Sequence, residues 1–197
     1  MKTTDKIIII DLEATCWKGP VPQGQVNEII EIEICVLDTK TGIISKNEGI
    51  LIKPERSTVS PFCTELTTIT QELLDQEGIS FEQACNELRI QYNSYQYTWA
   101  SYGAYDLNML KQQCKFRGLD YPMAQNHINV KTLFTKVKGL KRKVGMKGAL
   151  EMLEIPLEGT HHRGVDDANN IAKILDWCLN TSAKAESCCL TKEVQFS

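Results

Sequence analysis

The pattern of apolar and polar positions opens with an unbroken run, Ile7-Ile8-Ile9-Ile10, which reads as a strand buried on both faces. It passes directly into Asp11-Leu12-Glu13. A loop with Gly19, Pro20, Pro22 and Gly24 follows, and residues 29–37 then alternate, with Ile30, Ile32, Ile34 and Val36 set against Glu31 and Glu33. That two-residue period predicts a second strand. Asp38-Thr39-Lys40-Thr41-Gly42 carries turn chemistry, and residues 43–52 return as a third strand closed by Pro54. Short helical patches are expected around residues 63–66 and 71–74. Ser80 is placed to cap a helix bearing Phe81, Ala84, Cys85 and Leu88 on one face.

Residues 98–102 make a fourth strand, ended by Gly103, and Asp106 opens a helix with Leu107, Leu110 and Cys114 that stops at Gly118. Residues 130–137 and 146–153 give two further helical stretches, with a basic, glycine-containing loop between them. The last helix is expected to begin near Gly164 or Val165 and to run to about Leu179. Residues 181–197 show no period and are expected to be loosely held. There is neither an internal repeat nor a low-complexity tract. The order β, β, β, α, β, α, α, α predicts an α/β arrangement on a mixed sheet, antiparallel on its hairpin side, with residues 1–180 forming one domain.

Composition narrows the classes. A chain of 197 residues with 42% hydrophobic and 24% charged residues has the size and balance of a single folded domain. No apolar run approaches the length of a membrane span, and the N-terminal MKTTDK lacks the apolar core of a signal peptide. A cytoplasmic protein without membrane contact is expected. The 8 cysteines include no CxxC pair, and Cys35 and Cys178 sit in apolar surroundings, so reduced, buried thiols are expected over a disulfide framework. Cys188 and Cys189 have no His or Cys partner at ligand spacing. A net charge of −3 argues against a wholly basic surface for coating nucleic acid and leaves room for a local basic site.

Four carboxylates stand at strand ends or helix starts. Asp11 and Glu13 are two apart on a strand, so they project to the same side and aim at one spot. Held together they repel unless a cation or proton lies between them. Asp106 follows the fourth strand, where a helix-start acid would also be favoured by the macrodipole. In His161-His162-Arg163-Gly164-Val165-Asp166-Asp167, the pairs His161/Asp166 and His162/Asp167 share one spacing. Helical phase separates them. Asp167 lies one turn before Ile171, at the edge of the apolar stripe Ala168, Ile171, Leu175 and Cys178, whereas Asp166 aligns with Asn170, Lys173 and Trp177. Asp167 is therefore the ligand candidate, with His162 as its companion.

The segments Asp-Leu-Glu-Ala-Thr-Cys-Trp at 11–17, Tyr-Asp-Leu at 105–107 and His-Arg-Gly-Val-Asp-Asp at 162–167 resemble the DEDDh 3′-to-5′ exonucleases of the RNase T and DNA polymerase III epsilon-like superfamily. The likeness is to the branch holding the histone-mRNA and small-RNA 3′ exonucleases and the KapD-type bacterial proteins. It covers about residues 6–179, including Asn27-Glu28-Ile29-Ile30-Glu31-Ile32 and the segment Pro61 to Thr67. Arg163, rather than tyrosine, stands four before Asp167, which matches the histidine subclass. The resemblance implies an RNase H-like fold, a mixed five-stranded sheet flanked by helices. It also implies two Mg²⁺ or Mn²⁺ ions, Asp11 bridging both, Glu13 and Asp167 completing the nucleophile-side site, and Asp106 holding the second ion. His162, neutral at cytosolic pH, is the implied general base. Carboxylate oxygens suit such ions, and two of them about 3.5–4 Å apart serve phosphodiester hydrolysis.

The implied partner is single-stranded nucleic acid with a free 3′ end, RNA favoured, cut to nucleoside 5′-monophosphates. Trp17 is positioned to stack on a terminal base, with core packing as the competing role. Lys138, Lys141, Arg142, Lys143 and Lys147 form a basic cluster that either binds phosphates or is a solvated loop. Two other readings are an inactive RNase H-like module that binds nucleic acid or protein, and a scavenger of very short oligonucleotides.

Overall fold

The apolar run beginning at Ile7 is a central strand, and its pairing explains the absence of alternation there. β1 (Lys6–Ala14) pairs antiparallel with β2 (Ile29–Asp38) on one side and parallel with β4 (Trp99–Ser101) on the other. β3 (Ile44–Leu51) and β5 (His127–Asn129) close the edges, giving the order β3-β2-β1-β4-β5 in a mixed five-stranded sheet. The structure, a computed structural model, describes residues 5–159 and 166–193.

Helices cover both faces of the central strands, so the apolar residues of β1 and β2 meet a core on either side. The remaining elements are α1 (Pro61–Thr67), α2 (Gln71–Glu77), α3 (Phe81–Tyr92), α4 (Tyr105–Arg117), α5 (Val130–Val137), α6 (Met146–Met152) and α7 (Asp166–Glu193). Even positions of the central strands, Ile8, Ile10, Leu12, Ile32 and Ile34, pack with Leu88 of α3 and Leu110 of α4. Odd positions, Ile7, Ile9, Cys35 and Leu37, pack with Phe134 of α5, Leu150 of α6 and Ile171 and Leu175 of α7. Strand side chains alternate between faces. The odd series therefore continues from Ile9 into Asp11 and Glu13, and from Cys35 back into Glu33 and Glu31.

Local chemistry sets the element ends. Ser80 and Gln83 form a reciprocal capping box at the start of α3. Asp38 accepts from the Lys40 and Thr41 amides in the β2–β3 turn, and Gly42 takes the left-handed conformation that closes it. Gly118 ends α4 in the same region of backbone space, at φ 65°.

Three features depart from the sequence reading. β1 does not stop at Ile10, because β2 pairs with it as far as Ala14, so Asp11 and Glu13 lie within the strand. β5 is a strand of three half-buried residues, too short to show a period, and its parallel pairing to β4 alone defines it. The segment after residue 180, expected to be loosely held, continues α7 to Glu193. Its Ala, Lys and Glu content favours helix, and Ser182 bonds back to the Cys178 carbonyl at 2.9 Å. Among the described residues no helix is long and apolar enough to cross a membrane.

Candidate metal centre

The acids occupy the end of the sheet face that α7 covers. In the β1–β2 register Asp11 lies directly opposite Glu33, and Glu13 directly opposite Glu31. Directly opposed residues on one face have Cβ atoms about 4.5–5.5 Å apart, and like charges there are destabilising. All four sit at the closed end of the layer: Glu13 is 7% exposed, Glu31 6% and Glu33 0%, and only Asp11 is half-buried.

α7 brings the next acid from above. Its first turn is fastened to β2, since the Ala168 amide donates to Glu33 Oε2 at 3.3 Å and the Cys35 thiol donates to the Ala168 carbonyl at 3.4 Å. Asp167 is consequently buried, and Asp166 is half-buried beside it. Carboxylate oxygens of Asp11, Glu13 and Asp167 lie within 4.8 Å of one another. Asp106, at the second position of α4, is also buried. Hydrogen bonding from its own backbone, Ser101 and the Leu12 backbone works against the cost of burying its charge beside β1.

Electrostatics follow from this crowding. Burial, then Asp106, Glu33, Asp167 and Glu13, push the Asp11 carboxyl well above the usual carboxylate range. Burial followed by Asp167, Glu31 and Asp106 raises Glu13 to about 8. Burial alone takes Glu31 to about 7, and burial with Glu31 and Asp167 takes Glu33 to about 9 against the opposing pull of the Ala168 amide. Asp106 is raised by burial, which its hydrogen bonds offset in part. Without a cation this assembly must hold protons. Oxygen-only donors suit Mg²⁺ or Mn²⁺, and Glu33 Oε1 is buried with no hydrogen-bond partner among the described residues, so the residues present fit a divalent cation.

The four acids singled out from the sequence are thus brought to one place. His162, with His161, Arg163 and Gly164, lies outside the described residues. Glu31 and Glu33 were missed as members of the site. Trp17 is half-buried at the start of the loop after β1. Lys138, at the end of α5, sits 5.2 Å over the Trp177 ring and donates to the Met152 carbonyl, which directs it along α7. Lys141, Arg142, Lys143 and Lys147 are exposed, and the Tyr102 hydroxyl holds their loop near the end of β4 through the Val144 carbonyl at 3.1 Å.

The exonuclease (RNase T) family profile matches residues 8–175. The chain is 35% identical over 182 residues to human 3′-5′ exoribonuclease 1, covering 86% of this chain and 51% of that protein. It is 31% identical to human ERI1 exoribonuclease 2, over 88% of this chain and 28% of that one. The chain therefore spans about half the length, or less, of these curated relatives. Among solved structures, the nuclease domain of 3′hExo, a DEDDh family member bound to rAMP, superposes with a TM-score of 0.82 at 31% identity, covering 91% of this chain and 94% of that domain. Exonuclease I shares the fold, with a TM-score of 0.69 at 10% identity over 90% of this chain and 43% of that one. Matched by that profile over most of its length, and carrying its acids on β1, α4 and α7, the chain belongs to the RNase T exonuclease family, whose divalent-metal-dependent DEDDh members it resembles in sequence and fold.

Proposed function

We propose that this chain is a 3′-to-5′ exonuclease that hydrolyses single-stranded nucleic acid, RNA in preference to DNA, to nucleoside 5′-monophosphates using two Mg²⁺ or Mn²⁺ ions. The observation that carries the reading is the convergence of the Asp11, Glu13 and Asp167 carboxylates within 4.8 Å, with buried Asp106 beside them. The preference for RNA is supported by the exoribonuclease names of the relatives, and by a similar 3′-exonuclease solved in recognition of the 3′ end of the histone mRNA stem-loop.

Asp11 faces the other three acids and would help to hold both ions. Glu13 and Asp167 would complete the site on the side of the attacking water, and Asp106 the site on the side of the departing 3′-oxygen. Bound there, the ions would neutralise the non-bridging oxygens, lower the pKa of the attacking water and stabilise the leaving group. His162, in its neutral form, would take the proton of the attacking water. Glu33 and the Ala168 amide hold the first turn of α7, and with it Asp167, against β2.

Matched RNA and DNA oligomers, 3′-free and 3′-blocked, incubated with Mg²⁺ and with chelator, test the reading. Stepwise shortening from free 3′ ends, faster on RNA and absent in chelator, is the expected result. Cutting that survives chelation or proceeds on blocked strands would sink it. Thermal stabilisation by Mn²⁺ with no cleavage of any oligomer would favour an inactive binding module instead.

A further inference from the structure

Ser101 closes β4 and is fully buried, with Asp106 following on the first turn of α4. Its hydroxyl donates to the Gly103 carbonyl at 3.3 Å, inside the turn that leads into α4, and Gly103 sits in that turn at φ 138°. Hydrogen bonding from Ser101 also offsets part of the cost of burying the Asp106 charge. The carbonyl and the carboxylate are both acceptors, so they share the one hydrogen that the hydroxyl has to give.

On its other side Ser101 Oγ lies 2.9 Å from Nε2 of His127, in β5. With the hydroxyl hydrogen committed to the turn, Nε2 must be the donor, which places a ring hydrogen on that nitrogen. Burial and Lys111 lower the His127 pKa and favour the neutral ring. An imidazolium would also carry hydrogen on Nε2, so the bond does not depend on titration. The ring is held in place by its neighbours. It packs on buried Trp99 with centroids 4.2 Å apart and planes tilted by 50°, and Trp99 Nε1 donates to the Ala124 carbonyl at 3.2 Å. β5 pairs parallel with β4, with His127 opposite Trp99 and Asn129 opposite Ser101. Trp99 and Ser101 are two apart and project to one face, so an imidazole beside Trp99 reaches the hydroxyl diagonally.

We propose that His127 is a positioning residue for the metal centre, whose Nε2–H donates to Ser101 Oγ and so turns the Ser101 hydroxyl toward Asp106 and the Gly103 carbonyl. This role presupposes the two-ion reading, in which Asp106 holds the second ion. Carboxylates that hold metals are themselves fixed by hydrogen bonds, and loss of such an outer partner costs about 10–100-fold in metal affinity or activity. Without the imidazole donor the Ser101 hydroxyl is free to rotate away, and Asp106 loses a fixed partner. His127 acts on Asp106 only through Ser101.

The test uses His127→Phe, which keeps a ring against Trp99 and removes the donor, and His127→Gln, whose amide carries an N–H to the same place. Mn²⁺ affinity by calorimetric titration should fall about tenfold in His127→Phe and stay within about threefold of wild type in His127→Gln. In a Ser101→Ala background, His127→Phe should cause no further loss, because the route to Asp106 is already cut. A long-range ¹H–¹⁵N spectrum of the metal-free wild-type protein should show hydrogen on Nε2 of His127, whose signals are those missing from His127→Phe. Unchanged affinity in His127→Phe, equal losses in the two variants, or an Nε2 without hydrogen would each overturn the proposal. Failure of the two-ion reading is recognised separately: the wild-type protein would take up no Mn²⁺, and the role of His127 would fall with it.

Discussion

Individual side chains decide the chemistry, and the most informative is Glu33. It is fully buried, opposed to Asp11 across the β1–β2 ladder, and bonded to the helix turn that carries Asp167. Glu33→Gln keeps an acceptor for the Ala168 amide and removes a titrating acid. The metal-free variant should gain stability relative to wild type progressively between pH 5 and pH 9, read by thermal melts; a constant difference across that range would show that burial and the neighbouring acids do not hold Glu33 protonated. Asp11→Asn should lose Mn²⁺ uptake and activity together, and calorimetric titration showing unchanged uptake would refute its bridging role. His162→Ala should retain Mn²⁺ binding while losing most turnover. At this scale much was legible. The two-residue spacing of Asp11 and Glu13 put both on one side, and helical phase selected Asp167 over Asp166; Asp167 is buried within the acid cluster and Asp166 half-buried. Glu31 and Glu33 were not, since alternating apolar and acidic residues are the pattern of a strand with one wet face. What buries them is a helix more than 130 residues later.

Elements place those side chains, and they do so unequally. α7 lies against β1 and β2 through Ala168, Ile171, Ile174, Leu175 and Cys178, all fully buried, so its packing determines how far Asp167 stands from Asp11 and Glu13. Ile171→Ala removes buried volume one turn beyond Asp167 and should cost about 2–5 kcal/mol by urea denaturation, with weaker Mn²⁺ binding in the folded protein. Ser80→Ala, at the capping box of α3 on the other face, should cost about 1 kcal/mol and leave Mn²⁺ affinity unchanged. Equal effects on metal affinity would contradict the separation of the two faces. Capping residues and apolar stripes made α3, α4 and α5 readable in advance. β5 was not, because its three residues are a strand only by virtue of β4.

For the whole molecule, the buried acids make stability, proton uptake and metal binding one equilibrium. Glu13, Glu31 and Glu33 keep their protons to about 8, 7 and 9 in the folded state, against an ordinary value of 4.5. Between that value and the folded ones the native state binds more protons than the unfolded chain, so stability of the metal-free protein falls as pH rises. Melting temperature in chelator should therefore decline from pH 5 to pH 9. A divalent ion displaces those protons, so Mn²⁺ should raise the melting temperature more at pH 8 than at pH 5. A metal-free protein that grew more stable over this range would contradict the placement of the acids.

The sequence by itself determined the alternation of elements and the two-sided burial of β1, because periodicity is a property of neighbouring residues, and its motifs, through their likeness to the DEDDh exonucleases, singled out the four acids as candidates. Only the tertiary structure decided that Asp11 and Glu13 lie inside a strand, that Glu31 and Glu33 join them, and that His127 of β5 meets Ser101. Those outcomes depend on which distant segments pair and pack, and a local pattern carries no record of its partner.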